Sequence, residues 1–350
     1  MADPLGARGA HWRVASPYFT KETVRWIDET IPDDIYRFER VTAVLNDRHW
    51  HSRRSATSSL SEWKGYFQHA NRTIASPSDG MIGVFPQLAV ALSMMSRVRG
   101  DNRPLVSWFF NTTLDDEWRR KAASVALDRI DRFVVHTTVE IEVYSAALGI
   151  PEERFSYVPL QYGGKVETEK PSISEPYVFA TGSGYRDYKT FFEAVGKLGY
   201  RTLVLASPRA LDGLTPPSNV EIIDAMPKSE IRRHVRHAAV NCIPMTTEGV
   251  AAGLVTIVEC LRHGRGLVST NRAGVEDYLT EGKNALLALP GNADSLTTRI
   301  EAIWKDKDLS DKLDANALQF ANENCTDEAA ARGLISVLDG VLAGESQVAA

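Results

Sequence analysis

Short apolar runs recur along this chain, among them "LVSWFF" at 105–110, "RFVVHT" at 132–137, "YVFATG" at 177–182, "RTLVLAS" at 201–207, "AAVNCIP" at 238–244 and "GLVST" at 266–270. Each is too short for a helix and too rich in β-branched and aromatic residues for a loop. Without polar alternation, such runs read as strands buried on both faces, the mark of a parallel sheet. Amphipathic stretches such as "KTFFEAVGKLG" and "SEIRRHVRHA" fill the intervals. A parallel strand needs a crossover to reach its neighbour, so the pattern specifies α/β units.

Further strands are expected near 12–16, 41–46 and 80–85, at "NVEIID" 219–224 and at "ALLAL" 285–289. Both halves of the chain carry the pattern, which implies two Rossmann-like α/β domains with largely parallel sheets. Between them "VPLQYGGKVETEKPSISEPY", 158–177, is rich in Gly, Pro, Ser and charge and lacks helical periodicity, as a linker does. The expected organisation is a first domain over 1–160, a linker over 161–176 and a second domain over 177–328. The apolar terminal segment, 329–350, is expected to be a helix that packs back across the interdomain region. Tandem domains of this kind place the carboxyl ends of two sheets beside one cleft, where open sheets bind ligands.

Composition narrows the function. At 350 residues the chain is long for one core and comfortable for two. Residues 1–150 hold 19 Lys/Arg against 18 Asp/Glu and the remainder 21 against 27, so neither half has the basic footprint of a nucleic-acid binder. Cys242, Cys260 and Cys325 show no metal spacing, and their odd count fits a reduced cytoplasmic chain. "MADPLGARGAHWRV" has no apolar core, so no secretory signal is expected. The run "MIGVFPQLAVALSMM" at 81–95 is too short to span a bilayer and reads as a strand followed by a helix with Pro86 in its first turn.

Several motifs in the second half occur in a recognisable order. They are "LGIPEERFSYVPLQYG" at 148–163, "YVFATGSGYRDYKTFFEAVGKL", "NVEIIDAMPKSEIRRHVRHAAVNCIPMTTEG" and "GVEDYLTEGKNALLALPGNADSLTTRI". Together they resemble the donor half of a GT-B-fold glycosyltransferase of family 4, the retaining class that uses nucleotide diphosphate-sugars. The resemblance implies a metal-independent enzyme that binds its donor, UDP- or GDP-linked, on the second domain and needs no cofactor. Its acceptor would be a saccharide or lipid-linked saccharide entering from the first domain, with polysaccharide biosynthesis as the setting. The same resemblance leaves two alternatives, a sugar-nucleotide 2-epimerase and a catalytically silent nucleotide-sugar binder.

The family's E-x7-E motif pairs a glutamate facing the donor sugar with one gripping the ribose hydroxyls. By resemblance these are Glu248 and Glu259, although ten residues rather than seven separate them here. An acid near a helix start is also favoured by the helix dipole, which leaves Glu259 a structural alternative. The diphosphate needs positive charge, and "GSGYRDYK" supplies Arg186 and Lys189 after Gly182 and Gly184 at a helix start. Gly274 in "NRAGVEDY" would present amides to the same phosphate, and Met226 sits in the segment that resembles the base-binding loop.

The first half departs from the family, offering "VASPYFTKE" where a glycine-rich loop is usual. Asn111 and Asp115, beyond "LVSWFF", and His136, ending "RFVVH", are the candidates there for acceptor-side contacts; a strand-capping role is the alternative for His136. Asp306 and Asp308 have the D-x-D spacing of metal-dependent transferases but lie in a charged stretch read as solvated surface. His234 and His237 read as a polar helix face without a third metal ligand. "RHWHSRR", 48–54, reads as an exposed loop, with an anionic membrane surface at the inner face as its alternative partner.

Overall fold

The structure is a computed structural model and describes residues 9–19, 26–44, 59–112, 117–163, 166–168, 175–223, 225–246 and 251–344. The chain divides into two compact units, Met1–Pro159 with Ala330–Ala350, and Leu160–Ala329.

In the first unit six strands form one parallel sheet: β1 (Ala10–Ala15), β2 (Tyr36–Val41), β3 (Gly80–Val84), β4 (Leu105–Trp108), β5 (Arg132–Val135) and β6 (Phe155–Tyr157). Their spatial order is β2-β1-β3-β4-β5-β6. The chain leaves β1 towards one edge and returns to its other side at β3, so the topological switch lies between β1 and β3. Helices α1 (Leu60–Ile74), α2 (Pro86–Arg99), α3 (Glu117–Ala126) and α4 (Val139–Leu148) make the crossovers. A reciprocal capping box between Ser59 and Glu62 starts α1, and Pro86 occupies the first turn of α2. Gly80 is required where it stands, because a Cβ there would overlap the fully buried ring of Trp12.

The expected strand at 41–46 is corrected to Tyr36–Val41. It is an edge strand in which only the end residues Tyr36 and Val41 are buried while Arg37 and Glu39 are exposed, so its polar residues disguise it. The three-residue β6 is too short to register as a strand in sequence.

The second unit repeats the plan with β7 (Val178–Thr181), β8 (Thr202–Leu205), β9 (Val220–Ile223), β10 (Val240–Ile243), β11 (Leu267–Thr270) and β12 (Ala285–Ala288). The order β12-β11-β10-β7-β8-β9 puts its switch between β7 and β10. Helices α5 (Tyr188–Leu198), α6 (Lys228–His237), α7 (Leu254–Arg262), α8 (Ala293–Lys305) and α9 (Lys307–Asn324) complete it. Asp187 caps α5 by accepting from Thr190 N, and Asp306 caps α9 by accepting from Leu309 N, which gives one D-x-D acid a structural task.

Part of the expected linker is held within the second unit. Leu160 N donates to Tyr278 Oη at 2.8 Å, Arg262 Nε donates to Tyr162 O at 3.2 Å and Arg265 Nη2 donates to Thr168 O at 3.3 Å. The terminal helix α10 (Asp327–Leu342) supplies Ala330, Ala331, Leu334 and Leu338 to the core of the first unit. These residues cover one sheet face, with Trp12, Ile82, Val106 and Val134, while Met81, Leu105, Phe133 and Val135 point to the other face and its helices. The period of two along each strand thus needs cover on both sides, and α10 completes it.

Candidate functional site

All four non-glycine residues with positive φ among the described residues lie in loops that leave the carboxyl ends of strands. They are Phe85 after β3, Phe109 after β4, Tyr185 after β7 and Ala251 after β10. Holding a bulky residue in this conformation costs of order 1–3 kcal/mol, and such strain gathers at functional sites.

At the switch of the second sheet, the loops after β7 and β10 are stitched together. Asp187 N donates to Pro244 O at 3.1 Å, Thr246 N donates to Tyr185 O at 3.0 Å and Arg186 bridges to Met245. The Arg186 guanidinium fills the turn, its Nε donating to Thr181 O at 3.1 Å, Nη1 to Gly184 O at 3.1 Å and Nη2 to Thr256 Oγ1 at 3.2 Å. Gly182, at φ 107°, holds a backbone conformation that residues with a Cβ rarely adopt, and a Cβ there would displace that guanidinium. Every partner of Arg186 is neutral. Burial pulls its pKa down, with the nearby Arg272 charge adding to the effect, and among the described residues no carboxylate pairs with it. A half-buried cation held by neutral dipoles keeps its charge available to an anion.

Two features add to this positive field. Helix α7 begins at Gly253, at φ 84°, and among the described residues no side chain caps its first amides. Arg272, only 8% exposed, stands at the carboxyl end of β11 two residues before Gly274, itself buried at φ 89°. Sequence reasoning missed Arg272. The available signal was an arginine following the apolar run "GLVST", where a buried strand meets its ligand-side loop.

One turn beyond Thr256 on α7, Glu259 accepts from Tyr162 Oη at 3.1 Å and lies 3.5 Å from Arg232 Nε, both through Oε1. Oε2 has no partner among the described residues. Burial raises the Glu259 pKa while Tyr162, Arg232 and Lys228 oppose the shift, as expected of a carboxylate sunk beside a basic rim. Glu259 is the sixth residue of α7, beyond the first turn, so the helix dipole does not account for it.

The structure therefore gathers Gly182, Gly184, Arg186 and the start of α7, with Glu259 a turn along the same helix. Lys189 is exposed on the first turn of α5, and no contact joins it to Arg186. Met226 is half-buried in the loop between β9 and α6. Glu248 and Asp115 lie outside the described residues, as does "RHWHSRR".

In the first unit, Asn111 is exposed just after the buried Phe110. His136 is buried at the end of β5, with Nδ1 2.7 Å from Val158 O and its backbone N–H donating to Glu140 at 3.0 Å. Glu140 also accepts from Thr137 N at 2.9 Å and Thr137 Oγ1 at 3.1 Å. Burial pushes Glu140 up to about 7 and His136 down to about 4. This network closes the end of β5 and fixes the loop leading into α4.

Comparison with known proteins agrees with this layout. Residues 211–320, all within the second unit, match the family described as glycosyl transferases group 1. Among solved structures, Anabaena HepE in complex with UDP and glucose is similar at TM-score 0.66 and 11% identity, over 94% of this chain and 99% of that one. Sucrose-phosphate synthase from Thermosynechococcus elongatus is similar at TM-score 0.68 and 13% identity, over 96% and 100%. The lipopolysaccharide outer core galactosyltransferase WaaB, in its apo form, is similar at TM-score 0.63 and 13% identity, over 95% and 99%. The fold is that of the GT-B glycosyltransferases: α/β, with two parallel six-stranded sheets. No curated protein matches the chain. Among the described residues no helix is long and apolar enough to cross a membrane.

Proposed function

We propose that this chain is a retaining glycosyltransferase of family 4 that moves a sugar from a nucleotide diphosphate-sugar to a hydroxyl of a saccharide or lipid-linked saccharide. The observation that carries the reading is the half-buried Arg186 at the switch of the second sheet, which no carboxylate among the described residues pairs, beside the start of α7. As the glycosidic bond breaks, the departing diphosphate gains negative charge. Arg186, the first amides of α7 and Arg272 stabilise that charge in a site already organised to hold it, so no metal is required. Glu259 takes the ribose diol through its open Oε2, in charge-assisted bonds of about 1.5–3 kcal/mol each. Glu248 faces the donor sugar.

UDP is the first nucleotide to test, because the similar Anabaena protein was solved with UDP and glucose. A leaving phosphate oxygen that takes the acceptor proton on the same face makes an enzymic nucleophile unnecessary and retains the anomer. The test is a thermal-shift panel of nucleoside diphosphates and their sugars in EDTA. A true ligand at 100 times its Kd adds about 2.7 kcal/mol of stability. The absence of any shift across UDP, GDP and ADP, or a shift that needs a divalent metal, would remove the proposal.

A further inference from the structure

Two side chains from separate parts of the second unit converge on a single atom of Glu259. Tyr162, in the segment before β7, donates from Oη to Oε1 at 3.1 Å, and Arg232 Nε, on α6, lies 3.5 Å from the same Oε1. Arg232 also sits over the Tyr162 ring, with Cζ 5.2 Å from the centroid, so the three groups meet pairwise. The Glu259 side chain is only 13% exposed, whereas that of Arg232 is 47% exposed. Among the described residues Glu259 is the one carboxylate that pairs with Arg232.

Tyr162 is itself fixed at several points. Its backbone N–H donates to Cys325 O at 2.9 Å, its carbonyl accepts from Arg262 Nε at 3.2 Å, and its ring meets that of His263 edge-on with centroids 6.1 Å apart. Holding this segment against the helices does not need the hydroxyl, because His263 Nδ1 lies 2.7 Å from Glu167 O and Arg265 Nη2 donates to Thr168 O at 3.3 Å. A phenylalanine would fill the same space without desolvating a polar group. Burial, with the Glu259 charge beside it, holds the Tyr162 pKa well above the ordinary tyrosine value, so the hydroxyl keeps its proton and stays a donor. Burial also pushes the Glu259 pKa up, and Tyr162, Arg232 and Lys228, at the start of α6, oppose it. The adjoining Cys260 thiol on α7 is held neutral by its own burial.

We propose that Tyr162 and Arg232 are positioning residues, which grip Glu259 through Oε1 and so present Oε2, already fixed, to a hydroxyl of the bound nucleotide. This role rests on the glycosyl-transfer reading above, in which that hydroxyl belongs to the ribose. A carboxylate ordered before the ligand arrives loses little rotamer freedom on binding. The same two partners keep it charged to lower pH than burial alone would allow.

The test is calorimetry in EDTA on the whole chain with a diphosphate-sugar of the nucleotide that the thermal-shift panel selects, UDP-glucose first. Both phosphates of such a ligand are esterified, so it carries no group that titrates between about pH 6 and 8.5. Affinity that needs the Glu259 carboxylate is present above its pKa and lost as pH falls through it; without Tyr162 or Arg232 that pKa rises further. Between about pH 8.5 and 6, Tyr162→Phe and Arg232→Gln should each lose affinity about tenfold more than wild type does. Arg232→Lys, which keeps the charge, should restore most of the wild-type profile, and Glu259→Gln, with nothing to titrate, should bind weakly and equally at every pH. Arg232 is exposed, so Arg232→Gln reports independently of how Tyr162→Phe folds. A profile parallel to wild type in either variant would remove that residue from the role, and parallel profiles in both would overturn the proposal while leaving the donor reading intact. Wild type that binds no diphosphate-sugar at all would overturn the donor reading itself, and this role with it.

Discussion

The two sheets share strand number, parallel direction and an internal switch point, yet their carboxyl edges carry opposite chemistry. At the second switch a guanidinium, glycines and a helix start make a fixed positive field around Gly182 and Arg186. At the first, Tyr18, Phe85 and Phe109 present rings, with buried groups tuned towards neutrality. Both edges hold strained backbone, two outliers each. One scaffold geometry thus carries a cation and glycine turns at one edge and aromatic rings at the other.

The sharpest break of that comparison is Arg186→Ala. Removing this half-buried cation should weaken UDP or GDP binding by roughly 10³, since truncating one member of a desolvated charged contact costs about 2–5 kcal/mol. Calorimetry should show this. Glu248→Ala sharpens the comparison through chemistry rather than affinity. Turnover on the donor identified by the thermal-shift panel should fall by about 10² to 10³ while nucleoside diphosphate affinity stays within a factor of about two.

Glu259→Ala should weaken nucleoside diphosphates by roughly 2 to 4 kcal/mol. Inorganic pyrophosphate, which lacks the ribose, should bind wild type and variant alike; an equal loss for pyrophosphate would reassign Glu259 to the phosphates.

The first unit is tested by pH. Glu140, raised to about 7 from an ordinary 4.5, holds its proton more tightly when folded. Its contribution is therefore present at low pH and is lost as pH rises between about 4.5 and 7. His136, lowered to about 4 from 6.5, works in the opposite sense: its contribution is present above 6.5 and is lost as pH falls towards 4. His69 acts in the same direction as His136. Glu140→Gln should unmask the histidines, so that denaturant melts show stability rising by about 2–3 kcal/mol from pH 4 to 6.5 more steeply than in wild type. Parallel curves for the two proteins would show that Glu140 is not held this way. The smallest effect is expected at Lys189, whose exposed ammonium should cost less than about 0.5 kcal/mol of UDP affinity when replaced by alanine.

Much of this was legible in sequence because parallel strands buried on both faces announce themselves, as "RFVVHT" and "AAVNCIP" do. Strand β2 is hard to place from sequence because "YRFERV" puts Arg37 and Glu39 on solvent at the sheet edge and fully buries only its two end residues. Arg186 and Gly182 were legible because a glycine turn before a helix has few uses besides backbone approach. The contrast between Arg186 and Lys189 was not, because two basic residues three apart look equivalent until the turn wraps one guanidinium into the loop and leaves the other side chain on the helix surface. Arg272 escaped because its meaning depends on β11 lying beside β10, a pairing that no local motif encodes. The ring cluster of Tyr18, Phe85, Phe109 and His136 escaped for the same reason: its rings come from strands that are neighbours only in the sheet, and positive φ at a phenylalanine leaves no mark in composition.

The most direct test of the division between the two edges is amide hydrogen exchange on the whole chain with saturating UDP or GDP in EDTA. Slowed exchange is expected in the segments 182–188 and 253–262, the Arg186 turn and helix α7 proposed to hold the diphosphate and ribose. Binding that leaves both segments unprotected, or that needs added magnesium to protect them, would contradict it.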